Sequence, residues 1–115
     1  IPQRVAVVVS ADLAHTHEST GPYGYSPAVR PFDEACARWA RTLDGRPLLE
    51  EARTLLDDAK CCGYLGLAIL HGALTRVAGA GCTGTEAGLD CWKARLWAVS
   101  HPTYYGMMVA SYVRR

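Results

Sequence analysis

RVAVVVSADLAHTHESTGPYGY, residues 4–25, changes character halfway along. Val5, Ala6, Val7, Val8 and Val9 form an unbroken apolar run, the pattern of a strand buried on both faces inside a parallel or mixed sheet. Ser10, Asp12, His15, Thr16, His17, Glu18, Ser19 and Thr20 then follow within a few positions, before a Gly-Pro-Tyr-Gly-Tyr loop. In open α/β sheets, ligands bind in the crevice beyond the carboxyl ends of the strands. Residues 4–25 are therefore expected to form a central strand that delivers polar groups to an active-site edge.

Outward from this stretch, Phe32, Ala35, Cys36, Trp39, Ala40 and Leu43 recur at intervals of three and four, the stripe of an amphipathic helix. Pro31 suits its first turn, and Asp44-Gly45 its end. Leu48, Leu49, Ala52, Leu55, Leu56 and Ala59 repeat the pattern in a second helix. Residues 63–78, GYLGLAILHGALTRVA, are apolar nearly all round, which predicts a third helix buried between other elements. Gly66 and Gly72 within it would permit close backbone approach. A glycine-rich loop at 79–85 leads to two strands, 89–100 and 104–113, with Trp92, Ala94, Leu96 and Ala98 on one side of the first. The expected fold class is α/β: a buried central strand, three helices, then two C-terminal strands of a mixed sheet.

Bulk properties set the outer limits. The 115 residues suit one domain or part of one, and half of them are hydrophobic. Twelve basic residues against eleven acidic ones leave no basic excess of the sort that nucleic acid or an anionic membrane surface would require. No apolar run approaches the roughly 20 residues of a membrane span. The chain opens on Ile1 inside an apparent core strand, which leads to the expectation of a processed product or a part of something longer. Cys36, Cys61, Cys62, Cys82 and Cys91 are odd in number and lack framework spacing, which points to a reduced, intracellular, cytoplasmic setting.

Several residues are candidates for chemistry. His15 and His17, two apart in an extended segment, would face the same way, either to share a metal or as one functional and one solvated imidazole. His15 lies just past the strand with Asp12 three residues before it, and a carboxylate so placed would orient the ring of a general acid/base. Cys61 and Cys62 begin the third helix, where peptide dipoles favour thiolate, although adjacent cysteines commonly serve packing. His71, on an apolar run, reads as a hydrogen-bonded core histidine. Tyr23, Tyr25, Tyr104 and Tyr105 are candidates to line a pocket for a planar substrate. GAGCTG matches neither a dinucleotide nor a phosphate-loop pattern.

Three segments together carry a resemblance. SADLAHTHESTGPYGYSPAVRPFDEA resembles the Ser-Gly-Asp-Leu-Ser-His and following Pro-Tyr-Gly-Tyr-Asn-Pro and Phe-Asp segments of the class III extradiol ring-cleavage dioxygenases, the LigB superfamily, above all its Memo-like branch. AKCCGYLGLAILHGAL is similar to that branch's Glu-Cys-Gly helix, and SHPTYYGMMVASYV to its closing strand. Family domains are more than twice this length, so the resemblance implies that residues 1–115 are a single domain or the C-terminal portion of a LigB-like catalytic domain.

The resemblance further implies an aromatic diol and O₂ as substrates, a non-haem Fe(II), and His15 as the acid/base that manages the diol protons. Two histidine ligands would come from an N-terminal half, and the carboxylate ligand from the neighbourhood of Lys60-Cys61-Cys62-Gly63. Cys62 matches the Memo-like cysteine, while Cys61 stands where related sequences carry Glu. A thiol there suits Zn or Cu better than Fe(II). His17 is a further metal-ligand candidate, and Ser10, Tyr23 and Tyr25 are substrate-binding candidates. The alternatives are a Memo-like module without oxygenase activity that binds a metal, peptide or protein, and a non-catalytic piece that completes another chain's site. Association with a second copy or with a separate N-terminal half follows from either.

Overall fold

The computed structural model describes residues 3–78, 84–85 and 88–115. Its first helix, α1 (Val29–Thr42), buries Val29, Phe32, Ala35, Cys36, Trp39 and Ala40, the stripe expected from the spacing together with Val29. The helix stops at Leu43, which is left-handed at φ 58° and donates its N–H to the Trp39 carbonyl. That conformation disfavours a non-glycine residue by roughly 1–2 kcal/mol, but Leu43 is fully sequestered in the core, which offsets the cost. The expected stop at Gly45 is thus two residues late. Gly45 is small for another reason: a Cβ there would lie 2.8 Å from His71 Nε2.

A π-helical turn (Pro47–Ala52) runs directly into α2 (Arg53–Ala59), where a regular second helix was expected. The wider turn changes the phase of the stripe, so that Leu48 and Ala52 are buried while Leu49 is 40% exposed. Lys60, also left-handed, ends α2, and α3 (Tyr64–Ala78) follows.

The third helix is not buried all round. Tyr64, Leu67 and Leu74 face the core, but Leu65 and Ile69 on the other side are 71% and 72% exposed. Among the described residues no second layer covers that side. Gly66, as expected, admits a neighbour: a Cβ there would meet Val9 at 3.3 Å.

The strands are antiparallel. β1 (Gly84–Thr85) pairs with β2 (Gly88–Leu89), and β3 (Trp92–Ser100) pairs with β4 (Met107–Arg114). No parallel pairing occurs among the described residues, so the expectation of a mixed sheet is not met. Trp92, Ala94 and Leu96 pack inward from β3, with Ala94 opposite Tyr112 and Leu96 opposite Ala110 of β4, and Met108 packs against the same core. A bulge between Leu96 and Ala98 then inserts a residue and shifts the alternation. Ala98 consequently leaves the inner side on which it was expected, and Val99 comes opposite Met108. The rest of the 79–85 loop, with Cys82, lies outside the described residues. Cys91 is disulfide-bonded, so the cysteines are not uniformly free thiols; spacing does not reveal pairing, which depends on Cα atoms approaching within about 7 Å.

The largest departure concerns the opening run. Residues 5–9 form no strand, and Val5, Val7 and Val8 are 67%, 76% and 90% exposed. A strand buried on both faces needs hydrogen-bonded neighbours and covering layers, and neither β3 nor β4 offers its backbone to this run. The stretch that does meet the sheet comes later: Leu13 donates to the Gly106 carbonyl and Gly106 to that of Ala14, both at 2.8 Å, and His17 donates to Tyr104 at 3.0 Å. The polar half of residues 4–25 is therefore the part fixed by tertiary structure.

Trp39 joins the layers. Its indole N–H donates to His71 Nδ1 of α3 at 3.0 Å, and its ring packs on Tyr112 of β4, whose hydroxyl donates to the Ala40 carbonyl. His71 is hydrogen-bonded, as its apolar setting implied, but it is half-buried at the edge of the core. Burial lowers its pKa from the ordinary value, and Asp44 opposes the shift. The folded state thus binds this proton less readily than the unfolded state, so stability is present above about pH 6.5 and declines as pH falls through the histidine range. Thermal unfolding followed from about pH 7.5 to 5.5 should show this decline, with a shallower slope in His71→Asn.

Candidate functional site

Residues 12–17 are held from three directions. Beside the bonds to Gly106 and Tyr104, His15 N–H donates to the Ala59 carbonyl at the end of α2, at 2.8 Å, and Ser26 N–H donates to the Thr16 carbonyl at 3.0 Å. The backbone bends at His15 and at His17, so the two side chains do not share a face as extended geometry would require. They enter two different environments.

His15 stands among tyrosines. Its ring lies 5.9 Å from Tyr23, 6.0 Å from Tyr104 and 5.9 Å from Tyr105, centroid to centroid, with the first two contacts edge-on. Its Nδ1 is 2.7 Å from the Leu13 carbonyl. A carbonyl only accepts, so Nδ1 carries the hydrogen and neutral His15 has its lone pair on Nε2. The orienting bond expected from Asp12 is thus made by the neighbouring backbone. Asp12 nevertheless stays close: one ligand atom from each of Asp12, His15 and Cys62 lies within 4.8 Å of the other two.

Cys61 and Cys62 diverge. Cys62 is exposed, whereas Cys61 is half-buried and its Sγ–H donates to the Asp12 carbonyl at 3.1 Å. Burial pushes the Cys61 thiol up to about 12, partly opposed by the N–H groups of Gly63 and Tyr64, so it remains a protonated thiol near neutrality. Close packing brings this corner together: a Cβ at Gly63 would lie 2.5 Å from the Asp12 carbonyl oxygen and 2.6 Å from the Ala11 Cβ. Only glycine lets α3 begin so near the bend.

His17 belongs to a second cluster. Its Nε2–H donates to Asp33 Oδ2 at 2.7 Å, and Asp33 Oδ1 accepts the Ala14 N–H at 3.0 Å. Burial raises the Asp33 pKa, while Ala14 and His17 act in the opposite direction. The other face of His17 stacks on His101, with centroids 4.1 Å apart and planes 7° from parallel. These groups border a cavity of about 660 Å³ between the start of α1 and the end of β3, which Tyr25 and Arg30 also line.

The expected site residues are therefore divided. Asp12, His15, Cys62 and Tyr23 converge, with Cys61 joined through the Asp12 carbonyl; His17 and Tyr25 lie in the second cavity, and Ser10 is exposed before the bend. Tyr104 and Tyr105, already singled out as aromatic, prove to wall His15. Asp33, Arg30 and His101 were not anticipated. Asp33 carried one available signal, a carboxylate immediately beside Phe32 on the apolar stripe of α1. No family model matches this chain, and no curated protein matches it in sequence.

Proposed function

We propose that this chain forms the acid/base side of an extradiol-type ring-opening dioxygenase site acting on a catechol-type diol and O₂. The observation that carries the reading is His15: a ring fixed through Nδ1 to the Leu13 carbonyl and flanked by three tyrosine rings. His15 Nε2 takes a proton from a diol hydroxyl and returns it as the ring opens. Tyr23, Tyr104 and Tyr105 confine a planar substrate beside that nitrogen. The bend at residues 12–17 is tied to α2 and to the turn before β4, so the imidazole needs little reorganisation to meet the substrate.

A non-haem metal supplies the attachment of diol and O₂ in chemistry of this class. The group Asp12, His15 and Cys62 offers one carboxylate, one imidazole and one thiol, which is not the two-histidine, one-carboxylate set that suits an oxygen-activating Fe(II). In the proposed site Cys62 contributes at the metal position and the histidine ligands come from outside residues 1–115. His15 is then left free for proton transfer.

A second reading rests on the same proximity. If Asp12, His15 and Cys62 themselves hold an ion, their mixed oxygen, nitrogen and sulfur donors suit zinc or copper, and the chain is a Memo-like metal-binding module without oxygenase activity. Metal analysis combined with oxygen-electrode measurements on catechol separates the two. Stoichiometric iron with O₂ uptake and a ring-opened product supports the dioxygenase. Zinc or copper lost on Cys62→Ser, with no diol turnover, supports the module and overturns the first reading.

A further inference from the structure

We infer that the cavity between the start of α1 and the end of β3 is a binding site for a small aromatic carboxylate, separate from the His15 site and independent of its assignment. At about 660 Å³ it falls within the roughly 300–1,000 Å³ of small-molecule sites. The lining carries one guanidinium, Arg30, and two carboxylates, Asp33 and Glu34. Asp33 is buried, and both its oxygens are already used, one by Ala14 N–H and the other by His17. Glu34, one helical turn from Arg30, makes no hydrogen bond or ion pair among the described residues, because Arg38 on its other side is taken by Glu51; it therefore competes with a ligand for Arg30. Arg30 is exposed and makes no hydrogen bond or ion pair among the described residues. A guanidinium so placed matches a carboxylate with two parallel hydrogen bonds.

The remaining lining selects for a flat ring. His17 is locked by Asp33 and forms a parallel stack with the exposed His101, so the pair acts as one platform. Tyr25, 61% exposed, and Val99 line the same cavity. Val99 stands opposite Met108 because the β3 bulge shifts the alternation beyond Leu96. An aromatic acid thus finds π-faces and apolar contact for its ring, and a cation for its carboxylate.

Benzoate and its neutral analogue benzamide test this on the intact chain, by calorimetry and by amide NMR shifts. Benzoate should bind saturably, moving the signals of His17, Arg30 and His101, and benzamide should bind about tenfold more weakly because it lacks the charge-assisted pair. Arg30→Gln should erase the difference between the two probes, and His101→Ala should weaken both. Glu34→Gln, which removes a competing negative charge, should tighten benzoate about two- to threefold. Equal affinity for the two probes, benzoate binding unchanged in Arg30→Gln, or shifts confined to residues away from this cavity would overturn the proposal. So would the absence of any benzoate binding to a chain whose unvaried NMR spectrum shows it folded.

Discussion

Trp39→Ala is expected to lower the unfolding free energy by about 3–5 kcal/mol, the range for removing a large aromatic side chain from a core. Trp39 is wholly buried, and from its position on α1 it touches α3 through His71 and β4 through Tyr112. Its removal leaves a cavity between helices and sheet and strips His71 Nδ1 of its donor. Trp39→Phe retains much of the volume and loses the hydrogen bond, so it should cost clearly less. Denaturant unfolding of the two variants measures the difference. Equal and small losses would mean that the indole is not the junction described.

His15→Ala should reduce ring-opening turnover by about 10²–10⁴-fold, the usual worth of a positioned general acid/base. Metal content should be unchanged, because in the proposed site His15 moves protons and does not bind the ion. The substitution should also leave the fold intact, since it removes only the His15–Leu13 bond, while backbone groups and the side chains of Thr16, His17, Asp33 and Cys61 continue to hold the bend at residues 12–17. Loss of metal along with turnover would transfer His15 to the ligand set with Asp12 and Cys62. That outcome would favour the metal-binding module.

The helices could be read from spacing because their stripes are local: Phe32 to Ala40 recur at the helical period whatever lies opposite. The two long strands were visible for the same reason, from alternation between turn-forming residues. What spacing could not reveal was the partner of each apolar surface. The valines at 5–9 have the composition of a core strand, yet burial depends on neighbours that composition does not specify. The uniform hydrophobicity of α3 likewise conceals which side is covered.

The site was legible in part. His15, Asp12 and Cys62 were each identifiable by residue type and local position, and their convergence follows from Gly63 letting α3 start against Ala11 and Asp12. The separation of His15 from His17 was not, because it arises from bends fixed by Ala59 and Tyr104, far away in the chain. The His17–Asp33–His101 cluster escaped for the same reason: it gathers one residue from the bend, one from α1 and one from the end of β3.

The proposed proton transfer depends on His15 presenting Nε2 as an available base. Long-range ¹H–¹⁵N correlation of the imidazole nitrogens tests it directly in the intact, metal-free chain near neutral pH. A pyrrole-type nitrogen at Nδ1 and a pyridine-type nitrogen at Nε2 is the expected result, matching the 2.7 Å contact to the Leu13 carbonyl. The opposite tautomer, with the hydrogen on Nε2, would contradict it.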